Sequence, residues 1–343
     1  MEKILYLTQV EPGGELSSFA LEVLSGAGRL ARDLGCELAV GLVGAKADVQ
    51  AAADSVAGCG AAAFLAVTGD EFAVSRHATD AAAFEALARN AEATIVLAPG
   101  TSRAARAMPG VAERLNGRID SHITGTAITD GRPEVERWFY RQRMMGRLTR
   151  SQRPWLWLVD SGVFDAWEGE AGGATLEALD VPLPELRTRV VGVESPAAEE
   201  QTIRPDAELL FVAGAGWTKK QADGSTHVKE AETIIHDFLE TTGASLGSSK
   251  SLVDQAGEGQ EVISFMSHMN QVGQTGSTPR HPKGLATCCH GEEPHVVGWR
   301  FIKERRAVNL DPGCGWAQGK ADVLYVADAF EVMRRVNELL KQG

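Results

Sequence analysis

The sequence predicts an α/β protein of two domains, each a largely parallel sheet flanked by helices. Three features carry that expectation. Short apolar runs alternate with segments whose apolar residues recur at steps of three and four, the β-α-β-α rhythm of a parallel sheet covered by helices. A stretch broken by Gly-rich and Pro-containing segments interrupts the rhythm from Ala166 to Asp206, and a second α/β series follows it. The length, 343 residues, suits two domains of ordinary size. The expected division is 1–165 for the first domain, 166–206 for a connecting segment and 207–343 for the second.

In the first domain, Ile4–Val10 reads as a strand. Ala20, Val23, Leu24, Ala27, Leu30, Ala31 and Leu34 then mark one face of a helix that Gly35 stops. Glu37–Gly44 is a strand, an Ala-rich helix follows, and Ala62–Val67 is a third strand. Asp80 is placed to cap a helix running to Asn90, and Ala93–Ala98 is a buried strand. Ile123–Val159 is hairpin-like and ends in Trp155-Leu-Trp-Leu-Val159. The connecting segment holds Pro182, Pro184, Pro196 and Pro205, with one strand expected around Leu186–Val193. In the second domain the expected strands are Glu208–Ala213, Gly284–Cys289, Arg306–Asp311 and Val323–Ala327, with a helix over Val228–Thr242. A last helix starts at Asp328, where Asp328 and Glu331 have capping-box spacing.

The formal charge of −12 argues against a nucleic-acid partner, which would require a concentrated basic face. One local exception gathers Arg137, Arg141, Arg143, Arg147, Arg150 and Arg153. It reads either as the solvated side of a hairpin or as a docking patch for an acidic partner. No apolar run approaches the roughly 20 residues of a membrane span. The first residues turn polar too soon for a signal peptide, and the five scattered cysteines are an odd number. The expected setting is a reducing cytoplasm.

The candidate chemistry lies in the second domain. Gly214-Ala-Gly216 after a strand is a fragment of a dinucleotide fingerprint, or simply a tight turn. Gly247-Ser-Ser-Lys-Ser-Leu-Val-Asp254 offers hydroxyls and a lysine suited to phosphate, or is an ordinary polar loop. In Gln271-Val-Gly-Gln-Thr-Gly276, two glycines permit close backbone approach while Gln274 and Thr275 present donors and acceptors; such a loop can edge a planar heteroaromatic ring. Cys288-Cys-His-Gly-Glu-Glu-Pro-His295 has the wrong cysteine spacing for a tetrahedral metal site. Its cysteines suit the buried end of a strand. Asn309 and Asp311 close a strand and Asp322 precedes the next, and acidic or amide groups at the carboxyl ends of parallel strands commonly hold nucleosides.

Taken together, these segments resemble the alpha subunits of electron-transfer flavoproteins. The C-terminal FAD domain of that family carries, in order, a Gly-rich turn containing Arg, a G-A-S-R-x-x-V-D loop, the hexapeptide Q-V-G-Q-T-G, an S-G-x-x-Q-H stretch, an I-N-x-D-P strand end and a V-A-D-Y segment. Here the hexapeptide is complete at Gln271–Gly276, and His290–His295 falls on S-G-x-x-Q-H without a gap. Val308-Asn-Leu-Asp-Pro312 falls on I-N-x-D-P and Ala321-Asp322 on V-A-D. The run Arg137-Trp-Phe-Tyr140 is similar to the family's first domain. The resemblance implies FAD held by the second domain. Ser249 and Lys250 would contact its phosphates or flavin, and Val272, Gly273, Gln274, Thr275 and Gly276 would approach flavin N5 and its neighbours. His290, Gly291 and His295 would lie along the pyrimidine edge, with Asn309 and Asp322 at the adenosine end.

The resemblance further implies an electron carrier rather than an enzyme with its own substrate. A beta-like subunit would complete a heterodimer, a dedicated flavin dehydrogenase would donate electrons, and a downstream acceptor would receive them. The alternatives are a flavin-dependent oxidoreductase subunit that acts on a small substrate, and a structural subunit that has lost FAD. Departures from the family pattern bear on the flavin. The Gly-rich turn, Gly214-Ala-Gly-Trp217, lacks its arginine, Lys250 stands in the position of another, and Pro294 replaces glutamine. A weaker cationic environment implies a redox potential below that of ordinary members.

Overall fold

The computed structural model describes residues 2–140, 144–183, 185–192, 203–204, 207–255, 261–273, 279–288, 299, 302–313 and 321–342. It divides into two compact units, Met1–Val193 and Glu194–Gly343.

The first unit runs β1 (Lys3–Gln9), α1 (Ser18–Leu34), β2 (Glu37–Gly44), α2 (Lys46–Ser55), β3 (Ala63–Thr68), α3 (Asp70–Ala73), α4 (His77–Asn90), β4 (Ile95–Pro99), α5 (Ser102–Arg114), β5 (Arg118–Thr129), β6 (Arg132–Phe139), β7 (Met144–Leu148), β8 (Trp155–Val159) and β9 (Leu176–Ala178). Among the described residues its sheet has the order β7-β6-β5-β8-β4-β1-β2-β3-β9. Strands β5, β8, β4, β1, β2, β3 and β9 pair in parallel, and β6 and β7 add antiparallel. Every residue of β8 is buried, as a parallel strand covered on both faces requires. Its side chains alternate between two cores. Trp155, Trp157 and Val159 join Tyr6, Val40 and the apolar face of α1, while Leu156 and Leu158 join Leu5, Leu7 and residues of α4 and α5. Ser17 caps α1 by accepting from the Ala20 amide at 3.2 Å, and Gly35 ends it in the left-handed conformation at φ 61°.

Three local expectations change. Asp80 is not a cap: α4 begins at His77, and the Asp80 side chain lies wholly buried inside it, paired with Arg103 of α5 at 2.7 Å. That ion pair, rather than orphan amides, accounts for an acid at this position. No strand occurs over the described residues 186–192; instead Leu176–Ala178 pairs with the edge strand β3, and Trp167 and Ala174 pack on the core. Part of the Gly-rich stretch thus belongs to the first unit. The arginines of the hairpin region are also not a free basic face. Arg137 and Arg150 donate to Asp120 (2.9 Å and 2.8 Å), Arg147 pairs with Glu136 and Arg153 with Glu2; Arg141 and Arg143 lie outside the described residues.

The second unit runs β10 (Leu209–Ala213), α6 (Val228–Thr242), β11 (Ser245–Ser248), α7 (Lys250–Asp254), β12 (Lys283–Thr287), β13 (Glu304–Asn309), β14 (Val323–Val326) and α8 (Ala329–Leu340). Its strands pair in parallel in the order β11-β10-β12-β13-β14. Ala231, Ile234, Ile235 and Phe238 of α6 and Phe330 and Met333 of α8 share one core with Phe211 and Trp217. Asn337 Nδ2 donates to the Ile234 carbonyl at 2.9 Å and joins the two helices.

Asp120 is 1% exposed and accepts from two arginines and from Trp155 Nε1 at 2.8 Å. Burial alone would raise its carboxyl pKa, but the bonds from Arg150, Trp155 and Arg137 outweigh it and hold the group below the ordinary value. Stability from such a depressed carboxylate is complete above the unfolded pKa and fades as pH falls through the folded one. Asp120→Asn is therefore expected to cost about 3 kcal/mol at neutral pH. In urea melts across pH, that difference should hold above about pH 4 and shrink below it.

Candidate functional site

Because the second sheet is wholly parallel among the described residues, the turns after β10, β11, β12 and β13 leave from one edge. From β10 the chain crosses to β11 on one side and then to β12 on the other, so the strand order reverses between β10 and β12. Crevices at such a reversal, outside the carboxyl ends, are where open α/β sheets bind ligands.

Backbone hydrogen bonds tie this edge together. The Gly214 amide donates to Thr287 O and the Gly216 amide to Cys288 O, both at 2.8 Å. Ser249 N donates to Ala213 O at 2.8 Å, and Val272 N to Ser248 O at 2.9 Å. A Cβ at Gly216 would lie 2.6 Å from the Cys288 carbonyl oxygen, so a side chain at 216 has no space while the Cys288 turn keeps this position. Cys288 itself holds φ 52°, an uncommon conformation for a residue with a Cβ. Trp217 is fully buried beneath the turn; its Nε1 donates to Thr287 Oγ1 at 2.9 Å and its ring lies 4.5 Å from that of Phe330.

A narrow cleft opens beside this contact, lined by Gly216, Lys219, Lys220, Cys288, Asn309 and Asp328 among others. Asn309 is 3% exposed at the end of β13, and its Nδ2 donates to Asp311 O at 3.1 Å. Asp328 follows β14 at the same edge; its Oδ1 accepts from the Phe330 and Glu331 amides of α8 at 2.8 Å and 3.2 Å. Asp328 is the residue that sequence reasoning left at a helix cap alone. The signal was available, since Asp328 follows a strand whereas Asp322 precedes the same strand.

The predicted residues separate accordingly. Ser249 caps α7 by accepting from Leu252 N at 3.2 Å, and its neighbour Ser248 is buried with a hydroxyl that has no hydrogen-bond partner. Lys250, half exposed, pairs with Asp254, which also bonds His268 at 2.9 Å; these bonds, Lys250 first, hold the Asp254 carboxyl below its ordinary pKa. Gln271 bridges to Ser248, and Val272 and Gly273 follow, so the hexapeptide begins at the carboxyl end of β11. Gly273 sits at φ 119°, where a side chain would be strained. Gln274, Thr275, Gly276, His290, Gly291 and His295 lie outside the described residues.

Asp322 does not join the others. It stands at the amino end of β14, opposite Asn309, where it accepts from the Arg305 amide at 2.6 Å and pairs with the Arg305 guanidinium at 2.8 Å. Ser249 and Asn309 do share an edge, three strand spacings apart, or about 14 Å. That separation suits an extended dinucleotide better than a single nucleotide.

Residues 4–184, more than half of the chain, match the electron transfer flavoprotein domain family. The chain is similar to the electron transfer flavoprotein subunit alpha of Thermoanaerobacterium thermosaccharolyticum, 24% identical over 99% of this chain and 98% of the relative. It is also similar to the mitochondrial electron transfer flavoprotein subunit alpha of Dictyostelium discoideum, 24% identical over 74% of this chain and 67% of that one.

The Gly216 contact yields a direct test. Gly216→Ala and Gly216→Arg should each lower the stability of the C-terminal unit by about 1–3 kcal/mol, the usual range for overpacking. Chemical denaturation followed by Trp217 fluorescence checks this; unchanged midpoints would mean that the Cys288 turn yields freely.

Proposed function

This chain belongs to the electron transfer flavoprotein family, and we propose that it is an alpha-type subunit carrying one FAD at the carboxyl edge of its second sheet. The observation that carries this reading is the convergence of the Gly216–Cys288 contact, Asn309 and the start of the hexapeptide on the strand-order reversal. The residues present fit the cofactor. Ser248 offers a buried hydroxyl without a partner, and Lys219 and Lys220 line the cleft as cations for a diphosphate. Asn309 and Asp328 supply amide and carboxylate groups of the kind that hold an adenosine. Asp322, at the other end of its strand, is left out of this set.

When bound, FAD would supply the electron-accepting and electron-donating chemistry. The chain's own residues bind it, orient it and set its electrostatics. Gln274, Thr275, Gly276, His290, Gly291 and His295 are assigned to the flavin end on the family resemblance. With no arginine in the Gly214-Ala-Gly-Trp217 turn and a lysine at 250, the potential is set below that of ordinary members. We assign the protein a carrier role, with a beta-like partner subunit, a flavin dehydrogenase as donor and a separate downstream acceptor. The proposed setting is the cytoplasm. No helix among the described residues is long and apolar enough to cross a membrane.

Purified with its partner subunit, the protein should show flavin absorbance and release about one FAD per chain of this type. Asn309→Ala and Asp328→Ala should each weaken FAD binding about tenfold, the scale of one lost polar contact. A colourless complex, or affinity unchanged in both variants, would overturn the proposal.

A further inference from the structure

The first unit contains a second polar cavity that the electron-carrier role does not use. Its volume is ≈ 200 Å³, and it is lined by α5, by the ends of β4 and β8 and by the first residues of β5. Leu158, Ile119 and Pro109 form apolar walls, and Arg137, His122 and Asp160 supply polar groups. An irregular register between β5 and β8 over Asp120–Ile123 brings both Ser121 and His122 to this cavity. His122 is held at φ 56°, and its Nδ1 lies 3.3 Å from Asp160 Oδ1. Asp160 is itself fixed through its amide, which donates to Ile123 O at 2.9 Å.

Arg137 is the most specific feature. Asp120 holds one guanidinium nitrogen at 2.9 Å, and the Phe139 ring lies 4.4 Å from the guanidinium carbon. Its Nε is buried and has no hydrogen-bond partner. The aspartate and the ring fix the guanidinium of a residue that lines the cavity. The local charge favours an anion. Arg137 and Arg150 share the single Asp120 carboxylate, and the N-terminus of the 13-residue α5 adds partial positive charge at the cavity. The Asp160 carboxylate at the cavity is engaged by the His122 ring. Apolar walls around one anchored cation suit a short hydrocarbon tail behind a carboxylate.

We propose that this cavity binds a short-chain monocarboxylate, its carboxylate on the Arg137 guanidinium and beside His122, its tail against Leu158, Ile119 and Pro109. Calorimetric titration of the purified full-length protein with butyrate, acetate and inorganic phosphate tests this. Saturable one-to-one binding of butyrate is expected, tighter than that of acetate, with no saturable phosphate binding. Ala105 is exposed at the cavity rim, so Ala105→Phe should fill it without disturbing the core and abolish binding. His122→Asn tolerates the left-handed backbone and should weaken butyrate about tenfold. Absence of saturable butyrate binding, equal binding of phosphate, or wild-type affinity in either folded variant would each overturn the proposal. Should Ala105→Phe fail to fold, the His122→Asn comparison decides. The test involves residues 100–160 alone, so its result is separate from whether the second unit holds FAD.

Discussion

Parallel pairing in the second sheet is the constraint from which its site follows. With β11, β10, β12, β13 and β14 all running one way, every turn that leaves a strand end emerges at the same edge, while residues that enter strands collect at the other. The crossing from one side of β10 to the other opens the crevice at that edge, and the Gly216–Cys288 hydrogen bond sets its width. Asn309 and Asp328 share the edge because each follows its strand; Asp322 is excluded because it precedes one. Strand direction, more than residue type, decides which polar groups can meet a ligand.

The first unit has a different organising element. Asp120 ties β5 to β6 through Arg137, to the segment before β8 through Arg150, and to β8 through Trp155. The antiparallel pair β6 and β7 is thereby joined to a parallel sheet by buried charge as well as by backbone bonds. Burial of the Asp120 carboxylate is tolerable only because both of its oxygens are paired. The match to the family falls on this unit, while the proposed cofactor chemistry falls on the other.

Much of the fold was legible because it rests on periodicity. The helix over Val228–Thr242 agrees to the residue, and the central strands agree within one or two positions, since apolar steps of three to four and continuous apolar runs report burial directly. What escaped depends on partners distant in sequence. Asp80 looks like a cap until Arg103 is placed beside it, and Arg137 and Arg150 look solvated until Asp120 is. The strand Leu176–Ala178 carries little pattern because it adds to an edge, where one partner strand suffices. Of the residues that the motifs pick out, Ser249, Val272, Gly273 and Asn309 all lie at the carboxyl edge of the second sheet. Asp322 and Asp328 are told apart by strand direction, since Asp322 precedes the strand Val323–Val326 and Asp328 follows it.

The most direct measurement is amide hydrogen exchange on the purified protein with and without FAD. FAD should slow exchange in the turns after β10 and β12, around Gly216 and Cys288, and at Gln271–Gly273, while the amino-edge amides around Asp322 stay unchanged. Protection confined to residues 2–192, or equal at both edges of the second sheet, would contradict the placement of the cofactor at the carboxyl edge.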